Sequence, residues 1–505
     1  MNQARENRVN PQRQQLIKVA VIVFCMVVIP LALSLLAYLL PAFSKTPNDT
    51  PKHYTELVFP PLPEVKLPDY TRFQLANGLT VYLVEDHELP LVSGTALIRT
   101  GDRWEPGNQV GLAQLTGTVM RSGGTQRRSA NELNTLLEQR AASVETSISR
   151  AAGSASFSSL SEDTETVLGV FAEVLQQPAF AVDQVELAKT QAKGTIARRN
   201  DDPGSIANRE FRKLIYGEAS PYARTIEYQT LDNISRADLV KFHQQYFHPE
   251  STLLGIVGDF DTATMRQLIE TRFGNWKPAT QPQPPLPQVT QAKTEGIFVV
   301  DQPQLTQSTI LVGHLGGLEN SPDYPALSVM NEVLNGFGGR LFNEIRTRQG
   351  LAYSVYAFWS AQPDYPGVFI AGGQTRSEAT VPFIQSTLSE IERIRKQAIA
   401  PEELQYAKDI VLNSFIFNFQ DPAQTLNRLL RYAYYKYPED FIFRYRQGVE
   451  ATTIADVQRV AQTYLKPENL VTLVVGNQAE IKPPLSQLGQ QVTAIDVTIP
   501  QPGKG

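Results

Sequence analysis

The sequence predicts an α+β protein built from two homologous domains, and three observations carry that prediction. Apolar residues recur with a period of two in some short runs and 3.6 in others, with turn residues between them. Residues 277–294 (KPATQPQPPLPQVTQAKT) have five prolines and almost no apolar periodicity, and they cut the body into two similar lengths. Those two lengths repeat. Ala237-Asp238, Tyr246, Pro249 and Gly258 recur as Ala455-Asp456, Tyr464, Pro467 and Gly476, all at offset 218. Ala188-Lys189 matches Ala407-Lys408 at offset 219, and Leu112 with Gly123-Gly124 matches Leu327 with Gly338-Gly339 at offset 215. A drift of three or four residues is what loop insertions produce in a duplicated unit.

In chain order, residues 1–18 carry Arg5, Arg8, Arg13 and Lys18 ahead of an uncharged run, residues 19–40 (VAVIVFCMVVIPLALSLLAYLL). That run is long enough to span a bilayer as a helix. The flanking positive charge keeps the N-terminus cytoplasmic. The expectation is a single-pass inner-membrane anchor with a periplasmic, bacterial body, a cleaved signal peptide being the alternative. Residues 41–70 are polar and then proline-rich, as a tether is. Residues 73–84 (FQLANGLTVYLV) place Asn77-Gly78 between two alternating runs, a tight hairpin. Residues 91–100 form a further strand. A helix follows from Gly111, and Ser129-x-x-Glu132 opens the next with a capping box. Residues 143–159 alternate as a strand pair; residues 164–175, 185–199 and 237–246 are helical; residues 253–257 are a buried strand. The aromatic residues between Phe415 and Tyr445 recur at helical spacing, which places most of them in the core. The boundaries expected are 71–276 for the first domain, 277–294 for the linker, 295–478 for the second domain and 479–505 for a flexible tail.

Composition excludes several classes. The chain has 42% apolar and 19% charged residues, ordinary for a globular protein. A net charge of −5 leaves no basic footprint for nucleic acid. The one cysteine, Cys25, lies in the apolar run, so the body holds neither disulfides nor thiol chemistry.

Residues 111–125 read GLAQLTGTVMRSGGT. This stretch resembles the zinc-site helix of the M16 (pitrilysin and mitochondrial processing peptidase) metallopeptidases, where the pattern is Gly-Leu-Ala-His-x-x-Glu-His. Here the first His position is Gln114, the Glu position Gly117 and the second His position Thr118. In the family a third ligand, a Glu, follows 77 positions on, with a proline eight residues beyond it. In this chain those positions are Thr195 and Pro203. Zinc is held by imidazole, thiolate or carboxylate, and its attacking water needs a base. The resemblance therefore implies an M16 chain with no metal of its own and no catalytic residue when alone. It also implies the fold: two domains, each an antiparallel sheet with helices on one face. The five histidines offer no substitute set. His243 and His248 differ by five, which puts them on different helix faces, and their repeat partners are Ala461 and Lys466. His87 sits in a polar loop, His314 in a strand and His53 in the tether.

Residues 340–353 (RLFNEIRTRQGLAY) read as an amphipathic helix with Leu341, Phe342 and Ile345 inward, a Gly350 stop, and then an alternating strand over 351–359. M16 proteins carry an Arg and a Tyr seven positions apart in this context, as substrate-gripping groups. Arg346 and Tyr353 match them; Arg348 is the other candidate arginine. A guanidinium offers a rigid donor fork and a phenol one more donor for a developing oxyanion. Gly336-Phe337-Gly338-Gly339 resembles a shortened form of the glycine-rich loop of the non-catalytic processing-peptidase subunit; a turn requiring positive φ is the alternative.

What the resemblance implies for function is a zinc-less subunit. It would bind extended peptide and supply Arg346 and Tyr353 to a zinc-bearing M16 partner in a heterodimer, zinc residing only in that partner. The alternatives are an inactive M16-fold scaffold and a peptide-binding, chaperone-like protein.

Overall fold

A computed structural model describes residues 67–500, apart from 337 and 420, and these residues belong to one compact unit spanning 65–505. The first half contributes strands β1 (Thr71–Gln74), β2 (Thr80–Glu85), β3 (Leu91–Ile98), β4 (Ser143–Ile148), β5 (Gly153–Leu160) and β6 (Thr252–Gly258). The second contributes β7 (Ile297–Asp301), β8 (Gln307–Leu315), β9 (Ala352–Ser360), β10 (Val368–Arg376), β11 (Val471–Gly476) and β12 (Val492–Ala494). The first sheet runs β1-β2-β6-β3-β5-β4 and the second β12-β7-β11-β8-β10-β9. From the second position onward the two orders are the same, so the repeat read from residue offsets is a repeat of topology.

The sheets are mixed rather than antiparallel. β6 runs parallel to β2, and β11 parallel to β7. In each half the chain passes through several helices before returning to the sheet, and a crossover of that length permits parallel pairing. Local signals hold well. Asn77-Gly78 makes the β1–β2 hairpin with Gly78 at φ +95°, and Ser129 and Glu132 cap each other's backbone amides.

Helices on a single face were also expected, and here the structure differs. The inner face of each sheet carries its own half's helices. The outer face is covered by a helix from the other half. Helix Pro203–Tyr216 lays Ile206, Phe211, Leu214 and Ile215 on Phe298, Val300, Leu311, Leu473 and Val475. Helix Pro422–Tyr435 lays Leu426, Leu430 and Tyr434 on Tyr82, Val84, Leu253 and Val257. The two helices begin 219 residues apart, so the exchange is reciprocal. Gly255 in β6 admits it, since a Cβ there would lie 2.6 Å from Leu430. Burying side chains of this size contributes about 1.5–3 kcal/mol each, so neither half presents a finished core without the other.

Residues 277–294 contain no helix or strand, and their carbonyls are held by the body: Trp104 donates to Pro285 and Tyr222 to Pro287. Residues 479–499, set apart as a tail by sequence, carry β12 against β7, and Asn200 donates to the Val497 carbonyl.

The membrane anchor at residues 19–40 lies outside the described residues. Among the described residues no helix is long and apolar enough to cross a membrane. The inner-membrane, periplasmic placement expected from sequence finds no support among the described residues and is withdrawn.

Candidate functional site

Two places in the fold answer to the sequence motifs. The first is helix Leu112–Ser122, which opens on Gly111 at φ +108°. Its first amides are bound by a buried carboxylate: Glu105 accepts from Gly111 and Ala113, each at 3.0 Å. Burial pushes the Glu105 carboxyl up to about 7 in spite of those two donors. Gln114 and Thr118 fall one turn apart on the exposed face. Thr195 is exposed on helix Val182–Ala197, which packs beside this helix, and its hydroxyl donates to its own helix at Gln191.

Gly117 is buried, and its burial is specific. A Cβ there would lie 2.5 Å from the Ile148 amide nitrogen and 2.8 Å from the Ser147 carbonyl carbon. Thr146 donates to the Gly117 carbonyl at 2.6 Å, and Arg121 Nε donates to the Val144 carbonyl at 2.8 Å. The helix is thus fastened against β4, and strand backbone stands where a glutamate stem would start. The donor set does not fit zinc: a carboxamide, two hydroxyls and a glycine replace three ligands and a base. Among the described residues no group of three or more His, Cys, Asp or Glu is placed to hold a metal ion.

His53 lies outside the described residues, and His314, His87 and His243 are accounted for by packing and pairing. His314 Nε2 accepts from the Lys466 amide at 3.1 Å while Nδ1 donates to the Leu315 carbonyl at 2.8 Å. His87 pairs with Asp259 at 2.7 Å, a partner that sequence did not suggest because it lies 172 residues on. His243 is buried against Phe180 and Phe247 and donates through Nε2 to the Leu175 carbonyl at 2.8 Å. Burial pulls its pKa down from 6.5 to about 4. Between those values the unfolded chain binds a proton that the native ring refuses, so stability is lost as pH falls from 6.5 toward 4. The full effect is about 3 kcal/mol. Urea unfolding of the His243→Gln variant, which keeps an N–H donor, is expected to show a visibly flatter slope across that range.

The second place is the start of β9. Residues Phe342–Arg348 form a wide π-helical turn rather than the α-helix expected, closing with bonds from the Gln349 amide to Glu344 and the Leu351 amide to Ile345. Such turns are rare and frequently mark functional positions. Leu341 and Ile345 anchor it in the core. Gly350 at φ +63° then reverses the chain into β9. The pairing of β9 with β10 slips at this point. Ser354 faces Gln374 and Ala352 faces Thr375, so Tyr353 is the extra residue of a β-bulge. Bulges re-aim side chains, and Tyr353 is 83% exposed.

The turn and the bulge bring Arg346 and Tyr353 together. The guanidinium carbon stands 4.6 Å from the Tyr353 ring centre and 4.7 Å from that of Phe342. Arg348, the rival, is ion-paired with Glu344 and faces solvent. A cavity of about 320 Å³ opens beside Tyr353, lined by Gln307, Leu351, Ser354, Gln374, Thr375 and Arg376. Further along β9 the Trp359 amide is already taken, donating to the Asn331 side-chain oxygen at 2.6 Å. In the glycine-rich loop, Gly336 has φ +72°, the value a turn requires, and a Cβ on Gly338 would strike the Tyr406 ring.

Comparison with known proteins agrees with this fold. Residues 80–224 match the family described as Insulinase (Peptidase family M16), and residues 233–411 match the Peptidase M16 inactive domain. An uncharacterized zinc protease of Mycobacterium leprae is 26% identical over 320 residues, covering 61% of this chain and 69% of that one. The non-peptidase homolog YmxG of Helicobacter pylori is 23% identical over 408 residues, 79% of this chain and 92% of the relative. The solved structure of a peptidase M16 inactive domain from Pseudomonas fluorescens superposes with TM-score 0.75 at 24% identity, covering 82% of this chain and 99% of that one. The periplasmic protease PqqL of Escherichia coli matches with TM-score 0.70 at 18% identity over 82% of this chain and 46% of its own. With both halves matched and the strand order duplicated, the chain belongs to the M16 peptidase family, as a homologue whose zinc positions read Gln114, Gly117, Thr118 and Thr195.

Proposed function

We propose that this chain is the zinc-less subunit of a two-subunit M16 peptidase. It binds an extended peptide across the open start of β9. It presents Arg346 and Tyr353 to a carbonyl that a zinc-bearing partner polarises. The observation that carries this reading is the bulge, which sets an 83%-exposed tyrosine against an arginine with no carboxylate partner among the described residues. An exposed aromatic at a bulged strand end contributes nothing to the core, and its guanidinium neighbour retains all its donors for a ligand. In the transition state the phenol and guanidinium would donate to the developing oxyanion, where removing a single donor costs on the order of a hundredfold in rate.

The zinc-bearing partner must supply the water and the base. With an M16 protein of that kind co-purified on this chain, Arg346→Ala is expected to lower peptide cleavage by about a hundredfold while leaving the complex assembled. Cleavage equal to that of the parent complex would overturn the proposal. It would favour the second reading, an inactive M16 scaffold, which the helix fastened at Gly117 also suits.

A further inference from the structure

Where the two halves meet, a second cavity of about 350 Å³ is lined by Arg99, Arg103, Trp104, Asp364, Tyr435 and Lys436 and roofed by residues 283–286. Its size is that of a small-ligand site. The roof is tied down: Trp104 Nε1 donates to the Pro285 carbonyl at 3.2 Å, and the Gln283 side-chain amide donates to the Arg99 carbonyl.

The walls hold three cations and one carboxylate. Arg103, 4% exposed, gives Nη1 to Asp364 Oδ2 at 2.7 Å and Nη2 to the Ala151 carbonyl at 3.3 Å. Its Nε, and Oδ1 of Asp364, are buried without a hydrogen-bond partner. Arg99 stands 5.2 Å over the Tyr434 ring, and its Nη2 reaches only the Ala433 carbonyl, at 3.4 Å. Among the described residues neither Arg99 nor Lys436 forms an ion pair. The site therefore keeps surplus positive charge, an unused buried acceptor beside it, and apolar surface on Trp104, Tyr435 and Leu286. Buried polar groups left unpaired cost free energy, and a ligand that satisfies them recovers it.

The geometry points to a binding site for an α-carboxylate with an N–H donor beside it. The carboxylate lies between Arg99 and Lys436, the N–H on Asp364 Oδ1, and an apolar side chain against Trp104 and Tyr435. A peptide C-terminus and a free amino acid share that chemistry. The site is separate from Arg346 and Tyr353 and stands or falls independently of them.

Calorimetric titration of the full chain with three probes tests it: a tetrapeptide of three alanines ending in phenylalanine, the same peptide as its C-terminal amide, and free phenylalanine. The acid is expected to bind at least tenfold more tightly than the amide. Free phenylalanine binding as tightly as the peptide assigns the site to amino acids, and weaker binding assigns it to chain ends. The double variant Arg99→Gln with Lys436→Asn is expected to lose at least tenfold in affinity for the preferred probe. Asparagine tolerates the φ of +58° at position 436. Equal binding of acid and amide, no binding of any probe at millimolar concentration, or undiminished binding by the double variant would each overturn the assignment. The acid–amide comparison needs no variant and so survives a folding failure.

Discussion

Writing the zinc motif back into helix Leu112–Ser122 is expected to destabilise the fold rather than to restore a metal site. Of the three changes needed in that helix, Gln114→His and Thr118→His fall on an exposed face and are expected to be tolerated. Gly117→Glu is different. Its Cβ would stand 2.5 Å from the Ile148 amide nitrogen, and no rotamer moves a Cβ. Either the helix or β4 must shift. β4 is held by Thr146 to the helix backbone and by Arg121 from the helix, and its Val144 is fully buried in the core. Overpacking of this kind costs about 1–3 kcal/mol, and a carboxylate forced into a buried position adds desolvation. We expect Gly117→Glu to lose at least about 3 kcal/mol in urea unfolding, with Gly117→Ala losing a large part of that through the Cβ alone. A Gly117→Ala variant as stable as the parent would show that β4 yields freely and that the site is closed only by chemistry.

Gly117 also marks how far the sequence could be read. The motif's missing ligands were visible as residue types, because a ligand set is a statement about a few side chains at fixed spacing. That the glycine is imposed by the approach of residues 147–148 was not visible, since the contact spans some thirty residues and depends on where the strand lands. The same division runs through the fold. The Asn77-Gly78 hairpin and the Ser129–Glu132 box are local and were legible. So was the duplication. Of the aromatic residues between Phe415 and Tyr445, placed mostly in the core by helical spacing, Phe415, Tyr432, Tyr434 and Tyr437 are buried and Phe417 is exposed. The reciprocal exchange of helices Pro203–Tyr216 and Pro422–Tyr435 was not legible. An amphipathic helix announces that it covers something without saying which sheet. Parallel pairing of β2 with β6 was hidden for the same reason, since it is set by a path of more than 160 residues. Arg346 and Tyr353 were named from spacing and resemblance. The π-helical turn and the bulge that join them follow from backbone hydrogen bonding that alternation alone does not encode.

The exchange of helices has one further consequence. Because each half finishes the other's sheet, a polar junction is trapped between them, and its centre is the ion pair of Arg103 with Asp364. The Arg103 side chain is 3% exposed and that of Asp364 16%, so the pair is largely withdrawn from bulk solvent. Asp364→Ala leaves a buried guanidinium uncompensated, and breaking a buried pair in that way costs about 3–5 kcal/mol. Removing both charges is a different experiment. Arg103→Met with Asp364→Leu replaces the pair by apolar groups of similar length, an exchange that is often neutral. The double variant is therefore expected to be more stable than Asp364→Ala by at least about 2 kcal/mol in urea unfolding, despite changing more atoms. The loss in the single variant should appear as one transition for both halves, because helix Pro422–Tyr435, whose Tyr434 donates to the Ala151 carbonyl at 2.6 Å, cannot leave the first sheet without exposing both cores. Two separated transitions, or a single variant as stable as the parent, would mean that the halves hold together by apolar contact alone.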